Sequence, residues 1–288
     1  MTASSLRQVT IVGLGLIGGS IAKALRARDP DLILLAVDRE DVGKRSDVQA
    51  LISRFIDVNR VTESKTLVAK SDLVVLCQPV RIIAETVAQY LSPGCVVTDT
   101  GSTKRHIVDR ARASTDDSWF VPGHPMAGKE VGGFENSGEN LFTNRPWIVC
   151  PEGRHPSAVA LVEAFVDAMG ARRITMTPAQ HDSAVALTSH APQILASFLQ
   201  IAGKGMNALD AAGPAFADMT RIAGGSEGIW RDIFETNADE IGKTLRDAAL
   251  ALGTFSDALL ANPPRVERIL QVLEQARASK RSDGAGED

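Results

Sequence analysis

The sequence predicts an α/β protein, with a doubly wound parallel sheet in its first part and an all-helical domain after it. Three observations predict this fold class: apolar runs alternate with helical patterns over residues 8–176, a glycine turn joins the first strand to the first helix, and strand patterns stop after Thr177. Alternating strands and helices build parallel sheets, whose ligands bind beyond the carboxyl ends of the strands. We therefore expect a ligand-binding domain at residues 1–178 and a helical domain at residues 179–288.

The first strand, residues 9–12, leads into a glycine-rich turn, and a helical pattern follows over residues 17–28. Gly13 permits a tight turn, Gly15 lets a pyrophosphate approach the backbone, and Gly18 lets the helix pack closely on the strand. The N-terminus of the helix offers free N–H groups and a favourable dipole to the phosphates. The spacing predicts a Rossmann-type dinucleotide site that includes Gly13, Gly15, Leu16, Ile17 and Gly18.

Asp38 directly follows the second predicted strand, residues 32–37, where an acid accepts hydrogen bonds from the adenosine ribose. A carboxylate there would repel a 2′-phosphate, so the sequence favours NAD over NADP as the cofactor. Arg39 comes next and can serve such a phosphate, which tempers the preference. Gln78 and Pro79 follow the strand predicted at residues 73–77, and we expect them beside the cofactor as well.

The remaining elements continue the pattern. Further strands are predicted at residues 58–61, 95–98, 146–151 and 173–176, with a short one after Trp119; helices are predicted at 48–54, 80–91 and 157–169, and then at 179–203, 214–223, 228–236, 238–261 and 264–278. We expect residues 280–288 to be disordered. The alanine-rich apolar faces of the later helices exceed what a small bundle can bury, which predicts a homodimer.

Composition excludes several classes of function. The net charge of −4 and the pI near 5.8 argue against a broad nucleic-acid surface. Cys77, Cys95 and Cys150 lie in apolar runs without metal-ligand spacing, so we interpret them as buried thiols and expect no metal site. The start of the chain lacks the apolar segment of a signal peptide, and no apolar run approaches the ~20 residues that a membrane span needs. A cytoplasmic protein is the expectation.

Two residues near the predicted nucleotide edge can do chemistry. His124 lies between Gly123 and Pro125, and an imidazole can take a proton from a substrate hydroxyl while hydride leaves the same carbon. Its position is also compatible with a structural loop histidine. Ser102 begins a predicted helix directly after a strand, so it is a candidate N-cap as well as a candidate active-site hydroxyl.

Three further sets of residues lie on the predicted helices. Arg221 and Asp218 share one face, and an arginine fork suits a substrate carboxylate, although such pairs are also common on surfaces. His190 and Gln193 lie on the first helix of the second domain, where Pro192 predicts a kink. On a straight helix His181 would face away from His190, which leaves open whether His181 is structural.

Five motifs, taken together and in order, resemble those of the prephenate and arogenate dehydrogenases. They are GLGLIGGS at residues 13–20, DTGSTK at 99–104, GHPMAG at 123–128, His181-Asp182 with SHAP at 189–192, and TRIA at 220–223 with Trp230-Arg231-Asp232. The resemblance implies a Rossmann domain, a helical dimerisation domain, and oxidative decarboxylation of a cyclohexadienyl acid to a 4-hydroxyphenyl product.

The resemblance also implies roles for single residues of this sequence. His124 would be the base on the ring hydroxyl, Ser102 would hydrogen-bond that histidine or the hydroxyl, and Arg221 would bind the ring carboxylate that leaves as CO2. Glu130 and Asp218 would belong to an ionic network at the pocket. His190 would lie nearby.

One departure from the family pattern leaves the substrate's side chain open. Several prephenate-using members have a histidine where this chain has Gln193, so the side chain is either pyruvyl or alanyl. The sequence also leaves open whether ring C4 carries a hydroxyl or an amino group. A β-hydroxyacid dehydrogenase shares the two-domain plan, but Lys204 and Lys243 lack the setting of that family's lysine. A non-catalytic NAD-binding dimer, such as a redox sensor, is opposed by the joint presence of His124, Ser102 and Arg221.

Overall fold

The computed structural model describes residues 6–38, 50–56, 58–60, 70–92, 94–114, 116–206 and 208–284. Arg39 therefore lies outside the described residues, as does part of the helix predicted at 48–54. The chain divides into two compact units, Met1–Ala238 and Asp239–Asp288. The domain division predicted near residue 178 stays a prediction, because a change of secondary structure and a division by packing need not coincide.

A parallel sheet forms the centre of the first unit and confirms the predicted fold class. Its described strands have the order β3-β2-β1-β4-β5-β6. They are β1 (Gln8–Val12), β2 (Ile33–Val37), β3 (Val58–Arg60), β4 (Leu73–Leu76), β5 (Val96–Asp99) and β6 (Phe120–Val121). The helices named for this region within the described ranges are α1 (Leu16–Arg28), α2 (Val80–Tyr90), α3 (Arg105–Ala111) and α4 (Pro156–Ala168).

The central strands are buried on both faces, which explains their continuous apolar sequences. In β4, Leu73 and Val75 pack with α1 and α4, whereas Val74 and Leu76 pack with α2 and α3. Burial of each such side chain contributes about 1.5–3 kcal/mol. The register pairs Val12 with Val37 and with Leu76, so the carboxyl ends of these strands meet at one edge.

A second, three-stranded sheet carries the candidate base. It has the order β7-β8-β9, with β7 (Gly123–Pro125) antiparallel to β8 (Pro146–Val149) and β8 parallel to β9 (Arg172–Thr175). His124 pairs with Ile148 and is thus held in a strand, not in the loop that the sequence led us to expect.

The helical part of the first unit begins with a helix that changes its winding. It consists of α5 (Pro178–Val185), one π-helical turn (Ala186–His190) and α6 (Ala191–Gly205), followed by α7 (Pro214–Thr220), a 3-10 turn (Arg221–Gly224) and α8 (Glu227–Thr236). The predicted irregularity at Pro192 takes the form of the π-turn directly before it. Pro192 lacks an N–H group and its ring would crowd the carbonyl one turn earlier, and the wider turn relieves both conflicts.

The second unit consists of α9, which starts at the boundary (Ala238–Leu260), and α10 (Glu267–Gly284). Helix α10 extends as far as Gly284, and the expected disorder of residues 280–288 stays a prediction. Residues 285–288 lie outside the described part of the chain. None of the helices in the described ranges is long and apolar enough to cross a bilayer.

Candidate active site

The glycine turn after β1 has the form that a dinucleotide requires. Gly13 has a φ of +96°, and a Cβ on Gly18 would come within 2.0 Å of the Gly13 carbonyl oxygen. A Cβ on Gly15 would meet no atom within 4 Å, so the backbone before Leu16 and Ile17 is open to a ligand. Gly15 is the N-cap of α1 and gives no side-chain cap to the first turn.

Two groups flank this turn. Asp38 accepts a hydrogen bond from the Leu14 N–H at 2.7 Å, which fixes its carboxylate at the end of β2. Gln78 follows β4, and its buried side-chain oxygen has no hydrogen-bond partner in the described ranges. Pro79 is the N-cap of α2. The open turn, the fixed acid and the unpaired amide oxygen fit a bound dinucleotide.

His124 is connected to a second histidine and an aspartate. Its Nδ1 lies 2.8 Å from Nε2 of His181, and Nδ1 of His181 lies 2.7 Å from Oδ1 of Asp182. His181 and Asp182 are fully buried, and His124 is 8 % exposed. No described residue hydrogen-bonds to Nε2 of His124. Hydrogen bonds thus connect Asp182, His181 and His124 in series, and Nε2 of His124 is the free end of the series.

The chemistry of this chain fixes the proton positions. The Asp182 carboxylate only accepts hydrogen bonds, so Nδ1 of His181 carries the proton and its Nε2 is an acceptor. Nδ1 of His124 must then be the donor, which leaves Nε2 of His124 with a free lone pair. His124 is held in the tautomer that a general base needs.

Burial keeps both histidines neutral. It lowers the pKa of His124 well below the ordinary 6.5, and the positive charge of Lys104 acts in the same direction. Burial also lowers the pKa of His181, although the hydrogen bond to Asp182 opposes this. The base is therefore ready to accept a proton at neutral pH.

Asp182 also caps a helix of the sheet region. Its carboxylate accepts from the backbone N–H groups of Lys104 (2.7 Å) and Arg105 (2.9 Å), and from Nε of Arg105 (3.2 Å). Burial opposes its charge, but the bonds from His181, Arg105 and Lys104 outweigh this and lower the pKa of the carboxyl. The expectation that Ser102 caps this helix is therefore wrong, because α3 starts at Arg105 and its first N–H groups bind Asp182.

A buried ion pair holds the backbone next to His124. Lys104 and Asp99 are fully buried and bonded to each other. Nζ of Lys104 also donates to the Gly123 carbonyl at 2.7 Å, and Oδ1 of Asp99 accepts from the Gly123 N–H at 3.1 Å. The backbone N–H and C=O groups of Gly123 are thus both fixed, and with them the start of the strand that carries His124.

His190 and Gln193 lie beside an apolar cavity. The cavity of about 470 Å³ lies between α6 and α8, and Gln193, Phe198, Trp230 and Phe234 are among its lining residues. The His190 ring packs edge-on against Trp230, with 6.0 Å between the ring centroids. Burial lowers the pKa of His190 to about 4, so this imidazole is neutral as well.

Arg221 lies in the 3-10 turn after α7, not on the same helix as Asp218. Its Nη1 is 3.7 Å from Oε1 of Glu130, and both side chains are about two-thirds exposed, 68 % and 64 %. Asp218 is exposed and forms no ion pair with a described residue. The structure thus brings Arg221 together with Glu130 and leaves Asp218 outside that pair.

Comparison with known proteins identifies the family. Residues 21–175 match the model of the prephenate dehydrogenase nucleotide-binding domain, and residues 177–274 match that of the prephenate dehydrogenase dimerization domain. The chain belongs to the prephenate dehydrogenase family.

Three members show how far the similarity extends. A cyclohexadienyl dehydrogenase of Zymomonas mobilis is 31 % identical over 81 % of this chain and 81 % of its own length. The crystal structure of A. aeolicus prephenate dehydrogenase with hydroxyphenyl propionate and NAD+ has a TM-score of 0.84 at 28 % identity, and covers 96 % of this chain and 98 % of that one. Synechocystis arogenate dehydrogenase has a TM-score of 0.78 at 30 % identity, with coverages of 95 % and 99 %.

As a prephenate dehydrogenase family member, this chain is an oxidoreductase that uses NAD. The predicted cofactor and enzyme class are confirmed, whereas the roles of individual site residues stay predictions. Sequence reasoning undervalued His181, whose contact with His124 depends on packing between distant segments. The adjacent His181-Asp182 pair was the available signal, since a carboxylate next to an imidazole often orients it.

Proposed function

We propose that this enzyme oxidatively decarboxylates prephenate to 4-hydroxyphenylpyruvate in tyrosine biosynthesis, with NAD as the oxidant. The observation that carries the proposal is the His124–His181–Asp182 chain, which leaves Nε2 of a neutral His124 as a proton acceptor. That nitrogen lies in the same unit as the dinucleotide turn. A base of this kind is what a ring hydroxyl needs when its carbon is oxidised.

The proposed reaction removes a proton, a hydride and CO2 from the ring. Nε2 of His124 takes the proton of the hydroxyl at ring C4, and the hydrogen on C4 leaves as hydride with both electrons of the C4–H bond. The bond from ring C1 to its carboxylate then breaks, CO2 leaves, and its electron pair completes the aromatic ring. The proton on Nε2 of His124 returns to the ring oxygen and gives the hydroxyl group of the product. Bound NAD supplies the acceptor for the hydride. The protein's own tasks are to orient the ring, hold the base, and accept one proton and return it.

Arg221 is our proposed ligand for the ring carboxylate. Its guanidinium is exposed and only loosely paired with Glu130, so a substrate carboxylate can replace that partner with shorter bonds. Ser102 makes no hydrogen bond within the described ranges, which leaves its hydroxyl available to the substrate. Asp218 belongs to this proposal only as part of the acidic surroundings of Arg221.

Arogenate is the second candidate substrate. The observation that favours it is Gln193, which lines the apolar cavity and is the position where this chain departs from the family pattern. A β-hydroxyacid dehydrogenase is disfavoured because Lys204 is exposed on α6, away from the histidines. A non-catalytic sensor would have no need for a buried base with a fixed tautomer.

We also propose a homodimer. Phe198 and Ile201 on α6, and Met206 directly after it, are 64 %, 73 % and 79 % exposed, more apolar surface than a stable monomer leaves uncovered. Light scattering at micromolar concentration should give twice the mass of one chain. A monomer under these conditions would contradict the proposal.

The decisive experiment measures NADH formation with prephenate and with arogenate, side by side. We expect turnover of prephenate in the wild type and a loss of roughly 10²- to 10⁴-fold in kcat for His124→Asn, the usual contribution of a positioned base. Faster turnover of arogenate would replace prephenate by the second candidate. If neither compound were oxidised by a protein that binds NAD, the proposed function would be wrong.

A further inference from the structure

His190 has a buried partner that fixes its proton. Nδ2 of Asn237 lies 3.3 Å from Nδ1 of His190, and Asn237 is fully buried just after α8. The same amide donates to the Asp182 backbone carbonyl at 2.8 Å, while its oxygen accepts from Nη2 of Arg105 at 3.0 Å. All four residues lie in the first unit.

These partners determine which way the Asn237 amide points. A guanidinium can only donate and a carbonyl can only accept, so the amide oxygen must face Arg105 and the NH2 group must face Asp182. The second N–H of that group then points at Nδ1 of His190. Nδ1 must be the acceptor, and the proton of the neutral ring is on Nε2.

The base, His124, and the nearby His190 are therefore in opposite tautomers. His124 carries its proton on Nδ1 and offers a lone pair at Nε2, whereas His190 carries its proton on Nε2 and offers a donor. Nε2 of His190 has no hydrogen-bond partner among the described residues. The His190 ring packs edge-on against Trp230, which lines the apolar cavity.

We propose that Asn237 is a positioning residue that holds His190 as a neutral Nε2–H donor, and that this N–H binds an oxygen of the substrate's side chain. The inference rests on the proposed function, because that function supplies the substrate. The proposal gives the two imidazoles different roles. His124 removes a proton from the substrate, whereas the neutral His190 donates a hydrogen bond to a substrate oxygen.

The surroundings of His190 support a neutral donor. The ionisable groups near it are His181 and Asp182 on α5, while Arg105 on α3 faces the Asn237 amide instead. The Asp182 carboxylate is committed to His181, Arg105 and the N-terminus of α3. No described carboxylate is thus left to bind a protonated His190.

The first test is nuclear magnetic resonance of the wild type with 15N-labelled histidine. Long-range proton–nitrogen correlations near pH 7.5 distinguish the two tautomers, and the His190→Gln and His124→Asn variants assign the signals. We expect a protonated Nε2 in His190 and a protonated Nδ1 in His124. A proton on Nδ1 of His190, alone or together with one on Nε2, would overturn the proposal whatever substrate the enzyme uses.

The second test is the pH dependence of KM in Asn237→Asp. A carboxylate would accept from Nδ1 of His190, so Nε2 keeps a proton only while the ring is charged. KM should stay within about threefold of wild type near pH 6 and rise roughly tenfold toward pH 9, since one hydrogen bond to substrate is lost as the imidazolium deprotonates, with kcat changed less.

A matched control separates this effect from general damage. Glutamine places an uncharged NH2 group near the position of Nε2, so the double variant His190→Gln/Asn237→Asp should lose the pH dependence of KM. A pH-independent rise of KM in Asn237→Asp would mean that Asn237 is merely structural, and would overturn the proposal. If no cyclohexadienyl acid were turned over at all, the proposed function would fail while the resonance test still decided the tautomer.

Discussion

The Asp182→Asn variant tests the proton chain most directly. The carboxylate accepts four hydrogen bonds, including one of 2.7 Å from Nδ1 of His181. An amide oxygen in the place of Oδ2 keeps the bonds from Arg105 and puts the NH2 group in the place of Oδ1, where it faces His181 and the bond from the Lys104 N–H is lost. Nδ1 of His181 then becomes an acceptor, its Nε2 becomes a donor to Nδ1 of His124, and the proton of His124 moves to Nε2. Nε2 of His124 thus loses its lone pair, although His124 itself is not substituted.

The expected loss in kcat is roughly 10²- to 10⁴-fold, the full contribution of a general base, or about 3–5 kcal/mol in the activation free energy. The charge-assisted bonds to Arg105 and α3 also weaken, by about 1.5–3 kcal/mol, which lowers Tm by roughly 3–12 °C. Stopped-flow or steady-state NADH formation gives kcat, and differential scanning calorimetry gives Tm.

The control is Asp117→Asn. Asp117 pairs with Nη1 of Arg154 at 2.6 Å, and within the described ranges no hydrogen bond links it to His124, His181 or His190, so the same chemical change there should lower Tm and leave kcat within about threefold. The reasoning would be refuted if Asp182→Asn bound NAD, melted like the control and kept kcat within threefold of wild type.

Three further predictions follow from the site. Asp38→Ser should narrow a preference for NAD over NADP, measured as the ratio of kcat/KM values; equal values in the wild type would contradict the role of Asp38. Arg221→Gln should raise KM about 10- to 100-fold with little change in Tm, because a charge-assisted hydrogen bond from arginine to a carboxylate contributes about 1.5–3 kcal/mol; Arg221→Lys should recover part of the binding. The free energy of unfolding should fall as pH decreases from 6.5 toward 4, by up to about 3 kcal/mol for His190 alone, because its pKa falls to about 4 in the folded protein and the unfolded chain binds the proton first. Urea titrations at several pH values in that range measure the free energy of unfolding. If this free energy did not change with pH, the histidines would already be solvated in the folded protein.

The local parts of the molecule were predictable from the sequence. The turn at Gly13 and Gly18 is determined by steric limits within a few residues, and the apolar run of β4 identifies a strand buried on both faces. The helix at 228–236 and the strand at 146–151 were each found to within two or three residues. Such features depend on interactions between near neighbours in the chain.

The candidate site was less predictable because its contacts are long-range. His181 was placed by its spacing on a straight helix, but packing between α5 and β7 decides what it contacts. The first turn of α3 is capped by Asp182, which is distant in sequence, so the local Ser102 was the wrong candidate. Lys104 stood in a recognised motif, yet only the folded structure shows that it binds the Gly123 carbonyl.

The cap that Asp182 places on α3 limits how this enzyme can be divided or recombined. A fragment that ended at residue 178 would lose the carboxylate that binds the N–H groups of Lys104 and Arg105, and a chimera joined there would pair α3 with a foreign α5. The transferable module for protein engineering is therefore residues 1–238, the whole first unit. Exchanging that module as one piece keeps the nucleotide turn, the base and its proton chain from a single parent.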